Sequence, residues 1–355
     1  MSADGEHPVP GENDRQIDLE HPARAPAPYT QRPYTQRTLF ETIFFRPGFQ
    51  TGFQTGFQPE PRHSANAAEL RAGWRAGLYV AFFILFFSIF NTLGVFLQRR
   101  FSVLGGGIAA GQFTAGSLFR QEVVMAASAV VSALLMSVLE QRPFGDYGMP
   151  PREAFGRRFW QGAVWGMAQI TALVLAIAVL GGYSFGGLAN HGSVLVRYGF
   201  LWGGFFVIVG ITEEFLFRGY LQFTLASGMG FWPAATVLSL GFGAVHLSNL
   251  GEGPVGALSV FVIGMLFCLT LRRTGNLWFA IGMHAAFDFG ESYIYAVPDS
   301  GLVVQGQLLK ASLHGPRWLT GGSIGPEGSA LAFVVLAVVF VVFDRAYPRR
   351  AYGPG

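Results

Sequence analysis

From residue 71 onward the sequence is a succession of apolar runs about as long as a bilayer is thick, and no other feature constrains the fold as strongly. A spanning helix needs roughly 20 mostly apolar residues. Eight runs approach this, at about 74–97, 117–139, 159–181, 202–226, 232–250, 255–271, 276–296 and 328–346. Lipid offers no partner to an unpaired backbone group, so the runs are expected to be helices, and none reads as a strand. The composition agrees: 51% of residues are hydrophobic and 13% charged, where a soluble domain carries about 25% charged. The expected fold is all-α, a polytopic transmembrane bundle of about eight spans over residues 71–350.

Residues 1–70 differ. They are rich in Pro, Gly, Gln and Thr and repeat themselves, with PYTQR at 28–32 and 33–37 and GFQT units over 48–58. Such polar repeats bury too little apolar surface to offset chain entropy, so a disordered tail is expected. No apolar core of a signal peptide stands within residues 1–30. Insertion is then expected to begin at the first internal span.

The arginines set the expected orientation. Arg142, Arg152, Arg157 and Arg158 follow the second span, Arg272 and Arg273 the sixth, and Arg345, Arg349 and Arg350 the last. With eight spans these fall on one side, together with Arg71 and Arg75. The positive-inside rule makes that side cytoplasmic, with both termini there, in a multi-pass protein of the cell membrane. Arg99 and Arg100 fall on the opposite side. The net charge of +3, with Lys310 the sole lysine, gives no concentrated basic stripe, and nucleic acid is not an expected partner. Cys268 is the single cysteine, which excludes an internal disulfide or a cysteine-rich metal site. Gly73/Gly77, Gly162/Gly166 and Gly199/Gly203 have the small-residue spacing of close helix packing.

Ionisable groups inside a membrane are costly and mark functional sites by default. Three spans carry them here. The fourth has Glu213, Glu214 and Arg218, the fifth has Phe242 and His246, and the seventh has His284 and Asp288. Glu214 and Arg218 stand at i and i+4 and can pair on one face. Glu213, rotated about 100° from Glu214, can face the bundle interior without being tied to that arginine. His284 and Asp288 share a face, as do Phe242 and His246. If the fourth helix runs on to about Ser227, with Gly228 and Gly230 making the turn, Glu213, His246 and His284 all converge near mid-membrane.

A carboxylate and imidazoles around one water can deprotonate it for attack on a carbonyl. In one version His246 and His284 hold Zn²⁺ with Glu213 or Asp288 as a further ligand or base. In the other no metal takes part, Glu213 and His246 activate water directly, and His284 stabilises the oxyanion. Glu214 and Arg218 are expected to hold the geometry, and Phe242 to pack. No His-Glu-x-x-His occurs, so a zincin is not expected. The stretch Gly321-Gly322-Ser323-Ile324-Gly325 matches a nucleophile elbow by letters only, lying in a glycine-rich loop with no strand before it.

Taken in order, Glu213-Glu214-x-x-x-Arg218, Phe242-x-x-x-His246 and His284-x-x-x-Asp288 resemble the CAAX-protease and bacteriocin-processing (CPBP) intramembrane proteases, closely over about 200–292. The stretch 142–148 is similar to a loop often found before that core. The resemblance implies peptide-bond hydrolysis within an all-helical membrane bundle. It implies Glu213 and His246 as the water-activating pair, supported by His284 and residue 288. Position 288 is Asp where the eukaryotic CAAX-processing members have Asn. An ionised Asp cannot donate to an oxyanion, which favours a role in orienting a histidine or binding a metal. The expected partners are membrane lipid and a membrane-associated or lipidated peptide. Other classes are a catalytically silent binding or immunity protein and a proton-coupled transporter. A transporter should show internal repeats, and the halves of this chain show none.

Overall fold

A computed structural model describes residues 71–101, 115–249 and 251–351; the expected tail, 1–70, lies outside them. The elements run α1 (Ala72–Phe101), α2 (Ala115–Glu140), α3 (Arg157–Val179), β1 (Tyr183–Leu188), α4 (Gly192–Arg218), α5 (Tyr220–Met229), α6 (Phe231–His246), α7 (Pro254–Thr274), α8 (Trp278–Phe289), β2 (Leu309–Leu313), α9 (Arg317–Thr320) and α10 (Ala330–Ala346). Local signals account for several boundaries. Pro254 opens α7, and Gly275, at φ +83°, closes it. The Ser329 hydroxyl caps α10 by accepting from the Ala332 amide at 3.2 Å.

The molecule is mostly helical; the eight expected spans are not confirmed as such, and one feature departs from the expected architecture. Five segments are long and apolar enough to cross a bilayer: Ala72–Leu97, Ala115–Glu140, Arg157–Val179, Gly192–Met229 and Pro254–Thr274. The other three expected spans are helices, but of only 16, 12 and 17 residues. At 1.5 Å per residue, 12 residues cover about 18 Å, well short of a hydrocarbon core of about 30 Å. Helix α8 is apolar because protein surrounds it, with nearly every side chain buried. Helix α1, by contrast, leaves Ile84, Leu85 and Phe96 exposed. Apolar composition alone does not separate burial in protein from contact with lipid.

The departure is a strand pair. β1 and β2 form an antiparallel ribbon, Tyr183 opposite Leu313 and Phe185 opposite Ala311, with an irregularity before Leu188. A side chain at Gly186 would collide with the Lys310 carbonyl. Two short strands more than a hundred residues apart carry too little pattern to show in the sequence.

Helix α8 is the central post. It packs on α3 backbone to backbone: a Cβ at Gly162 would strike the Phe279 carbonyl, one at Gly166 the Met283 carbonyl, and one at Gly282 the Phe159 carbonyl. The expected role of the Gly162/Gly166 pair is met. Gly77 faces open space, and Gly199 only meets the Tyr293 hydroxyl.

The arginine-rich segments gather at one end of the bundle. The Ala351 amide donates to the Arg272 carbonyl at 3.0 Å, and Arg273 reaches both Asp344 and the Pro348 carbonyl. Asn276 donates to Glu153 at 2.6 Å and the Leu277 amide to the Gly148 carbonyl at 2.7 Å. Arg75 and Tyr220 both bond Glu140, tying the start of α1 to the end of α2. The ribbon lies at the opposite end.

Candidate active site

Three helices assemble the site. The fourth expected span is broken at Gly219, whose backbone (φ −80°, ψ −123°) leaves the helical region. A straight helix over Gly192–Met229, 38 residues, would be about 57 Å long, too long for one crossing. The bend ends α4 at Arg218, and α5 runs on to the turn at Gly230, which has φ +88°. Glu213 stands six residues before the bend, so its depth is not a simple count along one straight axis. Helix α6 ends at His246 itself, short of the expected end at 250. The start of α6 lies under Arg272, at the arginine end, so His246 stands toward the ribbon end.

The structure brings Glu213, Glu214, Arg218, His284 and Asp288 together. His284 is the hub. Its Nδ1 stands 2.9 Å from Glu214 Oε1, and its Nε2 stands 3.3 Å from Asp288 Oδ2 and 3.6 Å from Glu213 Oε2. Arg218 Nη1 donates to the same Glu214 oxygen at 3.2 Å. Glu214 and Arg218 are wholly buried, while the Glu213 side chain keeps 20% exposure. The pattern separates the two glutamates: Glu214 is sealed between Arg218 and His284, and Glu213 is left partly exposed. Arg218 also lies 4.2 Å over the Phe242 ring and 5.6 Å from that of Phe267. Those π faces stabilise a guanidinium that the carboxylate satisfies at one nitrogen only. Gly264 leaves the room that its third nitrogen occupies.

His246 is placed differently. Its Nδ1 lies 2.8 Å from the Phe242 carbonyl. A carbonyl only accepts, so Nδ1 carries the proton and Nε2 of the neutral ring keeps a lone pair, the form a general base needs. Among the described residues no hydrogen bond or ion pair joins His246 to Glu213. Phe242 is the shared neighbour of both imidazoles, its ring 4.6 Å from that of His246 and 6.5 Å from that of His284. Phe267 stacks on His284 at 5.2 Å and 17°. Phe242 thus packs, as expected, and at the centre of the site.

The expected zinc set was His246 and His284 with Glu213 or Asp288. Donors around one zinc at about 2.0–2.1 Å stand no more than about 4.2 Å apart. Among the described residues the one trio of His, Cys, Asp or Glu ligand atoms within 4.8 Å of one another is Glu291, Asp299 and Glu327. As placed, the expected set does not close on one metal.

Sequence reasoning passed over Glu122. It lies on α2, where one carboxylate oxygen is buried without a hydrogen-bond partner, within electrostatic reach of Glu213, His284 and Asp288. The Thr212 hydroxyl reaches its backbone carbonyl at 3.5 Å. The signal was present, since a glutamate inside an apolar run is the kind of residue that marked Glu213. Ser323 lies exposed after the short helix α9, without the strand–turn–helix setting of a nucleophile elbow.

The bundle thus belongs to the class of membrane-embedded helical proteins with a carboxylate–imidazole site between helices. Residues 195–290 match the family model described as Type II CAAX prenyl endopeptidase Rce1-like, so the family resemblance carried by the three motifs holds over that segment. No curated protein matches the chain.

Proposed function

We propose that this membrane protein is an intramembrane endopeptidase in which Glu213 and His246 activate a water molecule for attack on a peptide carbonyl. The supporting observation is the asymmetry of the two glutamates. Glu214 is consumed by Arg218 and His284, while Glu213 is left partly open beside the same imidazole. Glu213 takes the proton of the attacking water. His246, with its free Nε2, shares that water or returns a proton to the leaving amine. His284 presents Nε2 toward the forming oxyanion and is held from behind by Glu214 and from the side by Asp288. Asp288 acts as an orienter here, in keeping with its contact to the imidazole. This route needs no metal. A peptide anchored in the bilayer, by lipid or by its own apolar segment, is the substrate class that can reach a site lined by membrane helices. The protein would lie in the cell membrane with the arginine end and both termini in the cytoplasm.

The test is cleavage by the purified chain in lipid nanodiscs, offered prenylated and unmodified membrane-anchored peptides and followed by mass spectrometry. A product with a new carboxyl terminus, insensitive to a zinc chelator, is expected. Chelator-sensitive cleavage would overturn the metal-free route. Cleavage absent for every peptide would favour the silent binding reading.

A further inference from the structure

A second carboxylate cluster lies just beyond the site. Glu291 stands in the single π turn, Gly290–Ile294, that continues α8. Asp299 follows in the next loop, and Glu327 comes from the short turn Pro326–Gly328 before α10. One carboxylate oxygen from each lies within 4.8 Å of the other two. Glu291 is the informative member. Its side chain has no exposure, and neither oxygen completes a hydrogen bond; the Glu327 amide approaches it without closing one. An ionised carboxylate buried in this way is costly unless a counter-charge meets it.

The rest of the cluster is built around that position. The Ser292 hydroxyl donates to Asp299 Oδ2 at 3.1 Å. The Ser300 amide and hydroxyl donate to Glu327 Oε1 at 2.6 and 2.9 Å. Gly325, at φ +121°, lets the backbone pass against the Pro298 carbonyl and the Glu291 carboxylate, where any side chain would clash. Burial, followed by the neighbouring negative charges, pushes Asp299 well above the usual carboxylate range. No Lys, Arg or His pairs with any of the three among the described residues.

Hard divalent cations take carboxylate oxygens, calcium at roughly 2.3–2.6 Å. Two ligands of one such ion can stand up to about 5 Å apart, so calcium can bridge oxygens that lie within 4.8 Å of one another, and its flexible coordination suits this cluster better than the near-ideal octahedron magnesium demands. We infer that Glu291, Asp299 and Glu327 form a calcium-type cation site that fastens the 297–327 segment to the end of α8, three residues past Asp288.

The experiment uses the full chain in detergent, stripped with EDTA and titrated with calcium chloride or magnesium chloride by calorimetry and thermal unfolding. One calcium per chain and a raised Tm are expected, with magnesium weaker. Glu291→Gln and, separately, Glu327→Gln should weaken binding at least about tenfold, since loss of an outer-sphere partner alone costs about that much. If the three carboxylates instead share protons, neither cation will give an isotherm or move Tm, and the site is refuted. Unchanged binding in both variants refutes it equally, and tighter binding of magnesium refutes the calcium assignment. The titration of the unaltered chain decides even where a variant does not fold.

Discussion

Neighbouring residues on α4 have different surroundings because one helix position separates a sealed environment from a partly exposed one. Glu214 has Arg218 and His284 on it and no contact with solvent, so its charge is spent on geometry. Removing Arg218 leaves a buried carboxylate short of one of its two partners. Arg218→Ala is expected to cost about 3–5 kcal/mol, read as a large fall in Tm of the detergent-solubilised chain. A shift of a degree or less would mean that the pair is dispensable. Asp288 touches His284 at Nε2, and an amide in its place can still orient that ring. Asp288→Asn should keep cleavage within about 10- to 100-fold of wild type, the usual cost of disturbing a supporting partner. Total loss on that change would give Asp288 a direct part in the chemistry. The i, i+4 pairs on α4, α6 and α8 were all legible in the sequence, because helical spacing fixes which side chains share a face. Glu122 was legible by the same rule and passed over, since it belongs to no motif. The sealing of Glu214 by His284 was not legible, because it depends on how α4 meets α8.

Among the elements, α8 decides where the carboxylate–imidazole cluster sits. Its contact with α3 is glycine against carbonyl, so a larger side chain cannot be absorbed by a rotamer change. Gly166→Leu should force the helices apart, with a loss of at least about 1–3 kcal/mol and a fall in activity, because His284 rides on α8. Tm and cleavage measured on the same preparation check this; an unchanged Tm would mean the contact is looser than its backbone spacing indicates. The apolar runs located eight helical segments but not their status, since hydropathy scores burial in protein and exposure to lipid alike. The bend at Gly219 was missed for a related reason. A glycine in a long apolar run does not announce whether the helix continues through it, and the depth of Glu213 follows from that one backbone step.

For the molecule as a whole, the hydrogen bonds that join 142–158, 272–277 and 345–351 make one basic end, with the β ribbon at the other. The positive-inside rule then predicts sidedness. Cys268 is buried, so single cysteines introduced at exposed Arg152, Arg349 and Ser312 report cleanly. An impermeant maleimide applied outside intact cells should label S312C and spare R152C and R349C. Labelling of R349C together with S312C would contradict the topology. The ribbon end also holds His246 and the Glu291, Asp299 and Glu327 cluster, so access to the site and any cation that fastens the 297–327 segment belong to one region.

The central claim is that Glu213 is the water-activating carboxylate and that its neighbour is not. It is tested most directly by kcat for a membrane-anchored peptide in nanodiscs, comparing Glu213→Gln with wild type at matched Tm. The account predicts a fall of at least about 10²–10⁴-fold, the contribution of a positioned base, with the fold intact. A folded Glu213→Gln variant that cleaves at near the wild-type rate would contradict it.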